Sequence, residues 1–314
     1  MAHAFIFPGQ GSQSVGMGKS LADAFPSARA VFEEVDDVLN QKLSKIMWEG
    51  PEDDLKLTSN TQPALMACSV AAMAALKSEF DIDVTSAKFV AGHSLGEYSA
   101  LCAAGALTLA DTARLLRLRG DAMQKAVPVG AGAMCALLGA SVEDAEAAAA
   151  AGQKHGICQI ANDNATGQIV LSGEVAAVET AAQSARDAGV KKAVILPVSA
   201  PFHCDMMVPA AEAMREALAN TNILSPYVAV VNNVTARPVM DAELIMHDLV
   251  AQVTGRVRWR ESIEWMAGEG EIEIFAEAGC GKVLTQMLKR IVKGVSGNTL
   301  NSPESLEAFA NSLK

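Results

Sequence analysis

Aromatic side chains are scarce, at 4% of the 314 residues, so the core has to be assembled from Ala, Val, Leu, Ile and the 14 Met residues. That composition suits helices packed on a sheet. Positive charge is also short. A formal net charge of −11 argues against uniform attraction to nucleic acid or an anionic membrane surface, both of which require a basic face. Any basic docking site must be local. The six cysteines (Cys68, Cys102, Cys135, Cys158, Cys204, Cys280) include no C-x-x-C pair, which excludes a familiar zinc or dithiol motif and fits reduced thiols in a packed interior. No apolar run approaches membrane-spanning length, and the opening Met1–Pro8 has neither the basic start nor the long apolar stretch of an export signal. The expectation is a cytoplasmic protein.

The length allows one large domain with an insertion or two modest domains. Residues 4–7 read as a short buried strand. It leads into the glycine-rich loop Pro8-Gly9-Gln10-Gly11-Ser12 and a helix from near Val15. Thr61 as a cap and Pro63 in a first turn predict a helix from about 61 to Phe80. Phe89-Val90-Ala91 reads as a strand that turns at Gly92-His93-Ser94-Leu95-Gly96 into a helix from Glu97. Thr108 with Asp111 forms a capping pattern for a helix ending near Ala126, before Pro128.

Residues 131–196 follow a different rhythm. Strand-like 133–139, an Ala-rich helix 141–151, strand-like 157–161 and 168–172, a helix 175–188 and a strand 192–196 give the order β-α-β-β-α-β of the ferredoxin-like split motif. This predicts an inserted subdomain over 128–197 within a large domain formed by 1–127 and 198–314. Tyr227–Asn232 and Glu271–Glu277 read as further strands of the large domain, followed by a final helix near 282–293.

Gly92-His93-Ser94-Leu95-Gly96 matches G-x-S-x-G, a sharp strand-to-helix turn that leaves a serine oxygen exposed at a helix N-terminus. Unpaired N–H groups there, chiefly that of Leu95, suit an oxyanion formed when Ser94 attacks a carbonyl. The serine needs a base, and the chain has five histidines. His3 is terminal, His93 is the neighbour of Ser94 and should point elsewhere, and His155 and His247 lie in polar segments. His203 follows an apolar strand and the turn Pro197–Phe202, where a loop presents side chains at strand ends. The same elbow would also serve a serine esterase or thioesterase.

Four segments together carry a more specific signal: Phe7-Pro8-Gly9-Gln10-Gly11-Ser12-Gln13, Asn60-Thr61-Gln62-Pro63-Ala64-Leu65, Gly92-His93-Ser94-Leu95-Gly96-Glu97-Tyr98 and Ala200-Pro201-Phe202-His203. In order and spacing the chain resembles the malonyl-CoA:acyl carrier protein transacylases from end to end. The resemblance implies an α/β-hydrolase-like large domain with an inserted ferredoxin-like subdomain, Ser94 as nucleophile and His203 as base. It implies an oxyanion hole from the N–H groups of Gln10 and Leu95, and a backbone carbonyl at Gln252 orienting the histidine. It puts Gln62 among the substrate-binding residues. It also implies malonyl-CoA and a phosphopantetheinylated acyl carrier protein as partners, a place in fatty-acid synthesis, a monomer, and no metal or redox cofactor. Cys280 departs from the pattern, since relatives often carry proline or asparagine there.

On the helix 109–126, Arg114 and Arg117 fall on one side while Leu115, Leu116, Ala122 and Met123 form the opposite stripe, and Arg119 falls within that stripe. A buried arginine needs an anion. Either an internal acid supplies it, or the planar fork takes the free carboxylate of a dicarboxylic acyl group, as the resemblance implies. Phe202 resembles the residue of malonyl-selective relatives, whose bulk crowds an α-methyl branch.

Other signals are weaker. Gly9-Gln10-Gly11 mimics a dinucleotide fingerprint, but Ser14 occupies the third glycine position. Asn162–Gly167 resembles half a calcium loop, but Gly173 stands where a bidentate acid belongs, so a turn between two strands is expected. Lys282, Lys289, Arg290 and Lys293 cluster without an intervening acid. With Lys191 and Lys192 they are candidates for steering an acidic carrier protein.

Overall fold

A computed structural model describes residues 2–198 and 200–313. Ser199, within the predicted turn 197–202, lies outside the described residues, as do Met1 and Lys314. Among the described residues ten strands form two sheets. They are β1 (His3–Phe7), β2 (Phe89–Gly92), β3 (Gly132–Leu138), β4 (Cys158–Ala165), β5 (Gln168–Glu174), β6 (Lys192–Ile195), β7 (Val230–Val231), β8 (Pro238–Val239), β9 (Ile274–Ala278) and β10 (Ser296–Leu300).

The larger sheet has the order β10-β9-β1-β2-β7-β8 and is parallel except for the β7–β8 pair. β1 sits at its centre with every residue buried, and such strands read as continuous apolar runs because helices cover both faces. The chain passes from β1 to β2 on one side and from β9 to β10 on the other, so the connections diverge beside β1. The crevice beyond the carboxyl ends of β1 and β2 is where ligands settle in open parallel sheets. Phe7 and Gly92 are register partners at those ends, so the Gly9–Ser12 loop and the Ser94 turn emerge side by side.

The smaller sheet is antiparallel with the order β4-β5-β3-β6. Helices Val142–Gly152 and Val175–Asp187 pack their alanine faces on Cys135, Leu137, Ile160 and Leu171, forming a core separate from those of the larger sheet. The predicted β-α-β-β-α-β order holds throughout this stretch. β4 ties this unit to the larger one: the Asp163 N–H donates to Val257 O at 2.9 Å and the Val257 N–H donates to Ala161 O at 2.8 Å. The buried Asp163 carboxylate accepts two bonds from Arg260 Nε and one from Nη2. Asn162–Ala165 therefore belong to β4, and only Thr166 and Gly167 make the turn that the sequence suggested for the whole segment.

Several expected boundaries move. The first helix runs Lys19–Ala24 rather than from Val15, because Gly16 and Gly18 take positive φ before it. The helix expected from 61 spans Thr58–Phe80 with Pro63 inside it. Thr61 does not cap it. Its Oγ1 donates to Leu55 O at 2.5 Å, while Asn60 Nδ2 donates to Asp54 O, so both side chains anchor the preceding short helix Glu52–Lys56. The strand expected over Tyr227–Asn232 shrinks to Val230–Val231, and Tyr227 is exposed. The helix near 282–293 spans Val283–Ile291 and is not the last, since β10 and the helix Pro303–Ser312 follow. The buried Glu277 at the end of β9 accepts the N–H groups of Leu284 and Thr285 at 3.1 and 2.8 Å, capping Val283–Ile291 with an acid. All six cysteines are free.

Candidate active site

The turn after β2 demands glycine at its exit. A Cβ on Gly96 would lie 2.3 Å from Phe7 O, so only glycine lets the helix Gly96–Ala103 start this close to β1. Ser94 itself takes φ 53°, the left-handed region that a non-glycine residue adopts at a cost. His203, on the loop before the helix Val208–Ala219, does the same with φ 59°. Ser94 Oγ and His203 Nε2 are 2.7 Å apart.

His203 Nδ1 lies 2.8 Å from Gln252 O. A carbonyl only accepts, so Nδ1 carries the proton and Nε2 presents a lone pair to the Ser94 hydroxyl. Burial, reinforced by the neighbouring Arg119 cation, holds His203 down at about 3, which keeps it neutral and proton-accepting at ordinary pH. Gln252 is fully buried on the helix Ala242–Thr254.

The Thr108 cap forms as expected, with its Oγ1 accepting the Asp111 N–H at 3.0 Å, and the helix runs Leu109–Ala126. It crosses Thr58–Phe80 closely at Gly120, where a Cβ would lie 2.6 Å from Ser59 Cα. That approach brings Arg119, 2% exposed, against Gln62. Arg119 Nη1 donates to Gln62 Oε1 at 2.8 Å, and Nη2 donates to Gln252 Oε1 at 2.9 Å and to Ser94 Oγ at 3.2 Å. The guanidinium also lies over the Tyr98 ring at 5.7 Å. Among the described residues no carboxylate forms an ion pair with Arg119, and its Nε has no hydrogen-bond partner. Neutral amides hold the fork without neutralising it. The internal acid that would have made Arg119 purely structural is not in contact with it.

A cavity of about 200 Å³ opens over the Ser94–His203 pair, between the two sheets. Gln10, Gln62, Leu95, Arg119, Phe202 and His203 all line it. Met134, Val170 and Leu196 contribute an apolar wall from the smaller unit, and Val198, Val283 and Met287 one from the larger. Leu95 is buried immediately before the helix Gly96–Ala103 and Gln10 sits on the loop after β1, so the two residues border the cavity from the ends of adjacent strands. Gln252 does not line the cavity; it backs His203 and Arg119 from behind.

His93 turns away from the pair, as expected, but not out of the cleft. Its Nε2 lies 2.7 Å from Asn164 Oδ1, on β4 of the smaller sheet. Two further residues escaped sequence reasoning. Asn233 Oδ1 accepts the Ser94 N–H at 2.7 Å while its Nδ2 donates to Gly92 O at 2.7 Å, bracing the strained turn. Glu97 is buried behind the serine and accepts the Asn233 N–H at 2.9 Å. Both follow strand ends in the sequence, and Glu97 also stands in the segment Gly92–Tyr98 that carries the resemblance.

A serine on a glycine-permitted elbow, backed by a neutral histidine and facing an apolar-walled cleft, is the arrangement of enzymes that handle acyl groups through serine. Residues 4–303 match the acyl transferase domain family. The malonyl CoA-acyl carrier protein transacylase of Bacillus subtilis (strain 168) is 41% identical over 312 residues, covering 99% of this chain and 97% of that protein. An acyl-carrier-protein-S-malonyltransferase from Bartonella henselae superposes with a TM-score of 0.97 at 54% identity, covering 100% of this chain and 99% of the other. A malonyl-transacylase solved in complex with its type II PKS acyl-carrier protein superposes with a TM-score of 0.95 at 40% identity, covering 99% and 100%. The chain belongs to the malonyl CoA-acyl carrier protein transacylase family.

Proposed function

We propose that the protein transfers a malonyl group from malonyl-CoA to the pantetheine thiol of acyl carrier protein, through a malonyl ester on Ser94. The observation that carries this reading is the single oxygen, Ser94 Oγ, in contact with both the His203 base at 2.7 Å and the Arg119 cation at 3.2 Å. Attack and recognition of a free carboxylate thus converge on one spot.

In the first half-reaction the Ser94 hydroxyl gives its proton to His203 Nε2 as its oxygen attacks the thioester carbonyl. The negative oxygen of the tetrahedral intermediate lies between the N–H groups of Gln10 and Leu95, each such donor contributing on the order of 10²–10³ in rate. The C–S bond then breaks and the coenzyme A sulfur leaves with the proton held by His203. In the second half-reaction the carrier thiol surrenders its proton to His203, its sulfur attacks the malonyl-serine ester, and Ser94 departs with that proton restored. A carbonyl orients His203 where many hydrolases use a carboxylate, which makes a weaker base, and a thioester is reactive enough for it. Gln62 and Gln252 hold the Arg119 fork so that it pairs with the malonyl carboxylate, and Phe202 narrows the cavity beside the base.

The Bacillus relative's name and the carrier complex of the solved relative support this choice of partners. So does the exposed cluster Lys282, Lys289, Arg290 and Lys293 around the helix whose Val283 and Met287 line the cavity. Among the described residues none of the four forms an ion pair. Fatty-acid synthesis in the cytoplasm, by a monomer, is the setting this reading implies. We read the two units as α/β-hydrolase-like (1–127 and 198–314) and ferredoxin-like (128–197). The four-stranded order β4-β5-β3-β6 and the separate alanine-rich core support that division.

Coenzyme A release tests the reading. Without carrier protein, release should stop after one equivalent per enzyme, and it should become continuous once carrier is added. Continuous release without carrier, with free malonate as product, would instead identify a thioesterase built on the same elbow.

A further inference from the structure

Glu97 packs a carboxylate against the back of the site, and the reaction described above leaves it without a task. It is 2% exposed and forms no ion pair among the described residues. Burying an acid is unfavourable, and burial pushes Glu97 up to about 7 against the opposing pull of its hydrogen bonds and of the nearby Arg119 cation. Its Oε2 accepts from Asn233 N at 2.9 Å and from Gln252 Nε2 at 2.8 Å.

The second of these bonds matters because of what Gln252 does. An amide has one donating and one accepting end, and nothing in its shape decides which way round it sits. Gln252 Nε2 faces Glu97 and donates also to Ser94 O at 3.0 Å, and this leaves Oε1 to accept Arg119 Nη2 at 2.9 Å. If the amide turned over, its NH₂ would meet the Arg119 fork, donor against donor. The main chain of the same residue supplies the carbonyl that holds His203 Nδ1 at 2.8 Å.

We propose that Glu97 is a positioning residue for malonyl transfer: by accepting from Gln252 Nε2 it fixes the amide so that Oε1 holds the Arg119 fork toward Ser94. The inference rests on the malonyl-transfer reading and adds a selectivity determinant that never touches substrate. The Oε2 lone pairs remain available whether or not a proton sits on Oε1, so the device survives titration of Glu97. An amide oxygen in the same place serves equally.

The test is the ratio of kcat/KM for malonyl-CoA to that for acetyl-CoA, which a general loss of stability does not move. Glu97→Met keeps the length of the chain and removes the acceptor; the ratio should fall by about tenfold or more, mainly through a higher KM for malonyl-CoA. Glu97→Gln should restore the ratio to within about threefold of wild type, as expected for an interaction that needs an acceptor rather than a charge. If Glu97→Met does not fold, Glu97→Asp, which withdraws the acceptor by one methylene, should still lower the ratio by at least about threefold. An unchanged ratio in the folded Met or Asp variant, or a Gln variant as impaired as Met, would overturn the assignment while leaving malonyl transfer intact. A wild type with no malonyl transfer would overturn both.

Discussion

Arg119 Nη2 lies 3.2 Å from Ser94 Oγ and 2.9 Å from Gln252 Oε1, so a buried cation sits beside the serine hydroxyl with no ion-pair partner among the described residues. Such a charge is tolerated when a site is built to receive an anion. Arg119→Ala should therefore lose roughly 2–5 kcal/mol of transition-state binding for malonyl-CoA. Acetyl-CoA, which lacks the second carboxylate, should lose much less or gain. Parallel rates of Ser94 acylation by the two thioesters measure the difference, and a variant that keeps the wild-type preference for malonyl would remove Arg119 from the role.

The pH profile follows from the same contact. His203 is held at about 3, by burial first and by the Arg119 cation second, so the base should stay neutral and Ser94 acylation should show no His203 limb between pH 8 and about 5. Arg119→Ala removes the cation and should move that limb toward neutrality. Stability carries the opposite face of the shift. Between the ordinary 6.5 and about 3 the unfolded chain binds a proton that folded His203 refuses, so its contribution falls as pH is lowered through that window. Glu97, held at about 7, binds its proton in the fold before the unfolded chain does, and Glu97→Gln removes its part of the profile. A wild-type acid limb centred near 6.5, absent from neither variant, would contradict the burial of the base.

Carrier docking separates from chemistry. Lys289→Glu with Arg290→Glu reverses charge at the exposed end of the helix Val283–Ile291, and also removes the 3.0 Å bond from Arg290 Nη1 to Gln168 Oε1. Transfer to carrier protein should slow by about tenfold or more at low salt, with the deficit shrinking as salt is added. Self-acylation by malonyl-CoA should be unaffected. Stopped-flow transfer at two ionic strengths is the measurement, and equal rates at low salt would exclude this face.

Much of this was legible in the sequence because it follows from local rules. The elbow at Ser94 is a glycine-bounded turn between a strand and a helix, and the order of elements in 131–196 follows period and turn residues. Arg119 betrayed itself by standing on an apolar stripe. His203 was legible only as the histidine left over and through resemblance, because what qualifies it, the Gln252 carbonyl 2.8 Å from Nδ1, comes from a helix some fifty residues later. Long-range bonds are what hydrophobic period cannot encode. Glu97 and Asn233 went unnoticed for the same reason, since an acid in a first helical turn reads as a solvated helix start until burial is known. The start of Thr58–Phe80 was misread because Thr61, a residue type that caps helices, donates to Leu55 O instead. β10 and the helix Pro303–Ser312 were passed over, β10 because Ser296–Leu300 carries glycine and polar residues and ends the sheet at an edge.

The central claim is a malonyl ester on Ser94 that waits for a thiol rather than for water, and intact mass measures it most directly. The protein would be mixed briefly with malonyl-CoA, weighed, then given pantetheinylated carrier protein and weighed again, with Ser94→Ala as control. The account predicts a single malonyl adduct that persists in water, moves to the carrier and is missing from the variant. An adduct that survives in Ser94→Ala, or no adduct alongside accumulating free malonate, would contradict it.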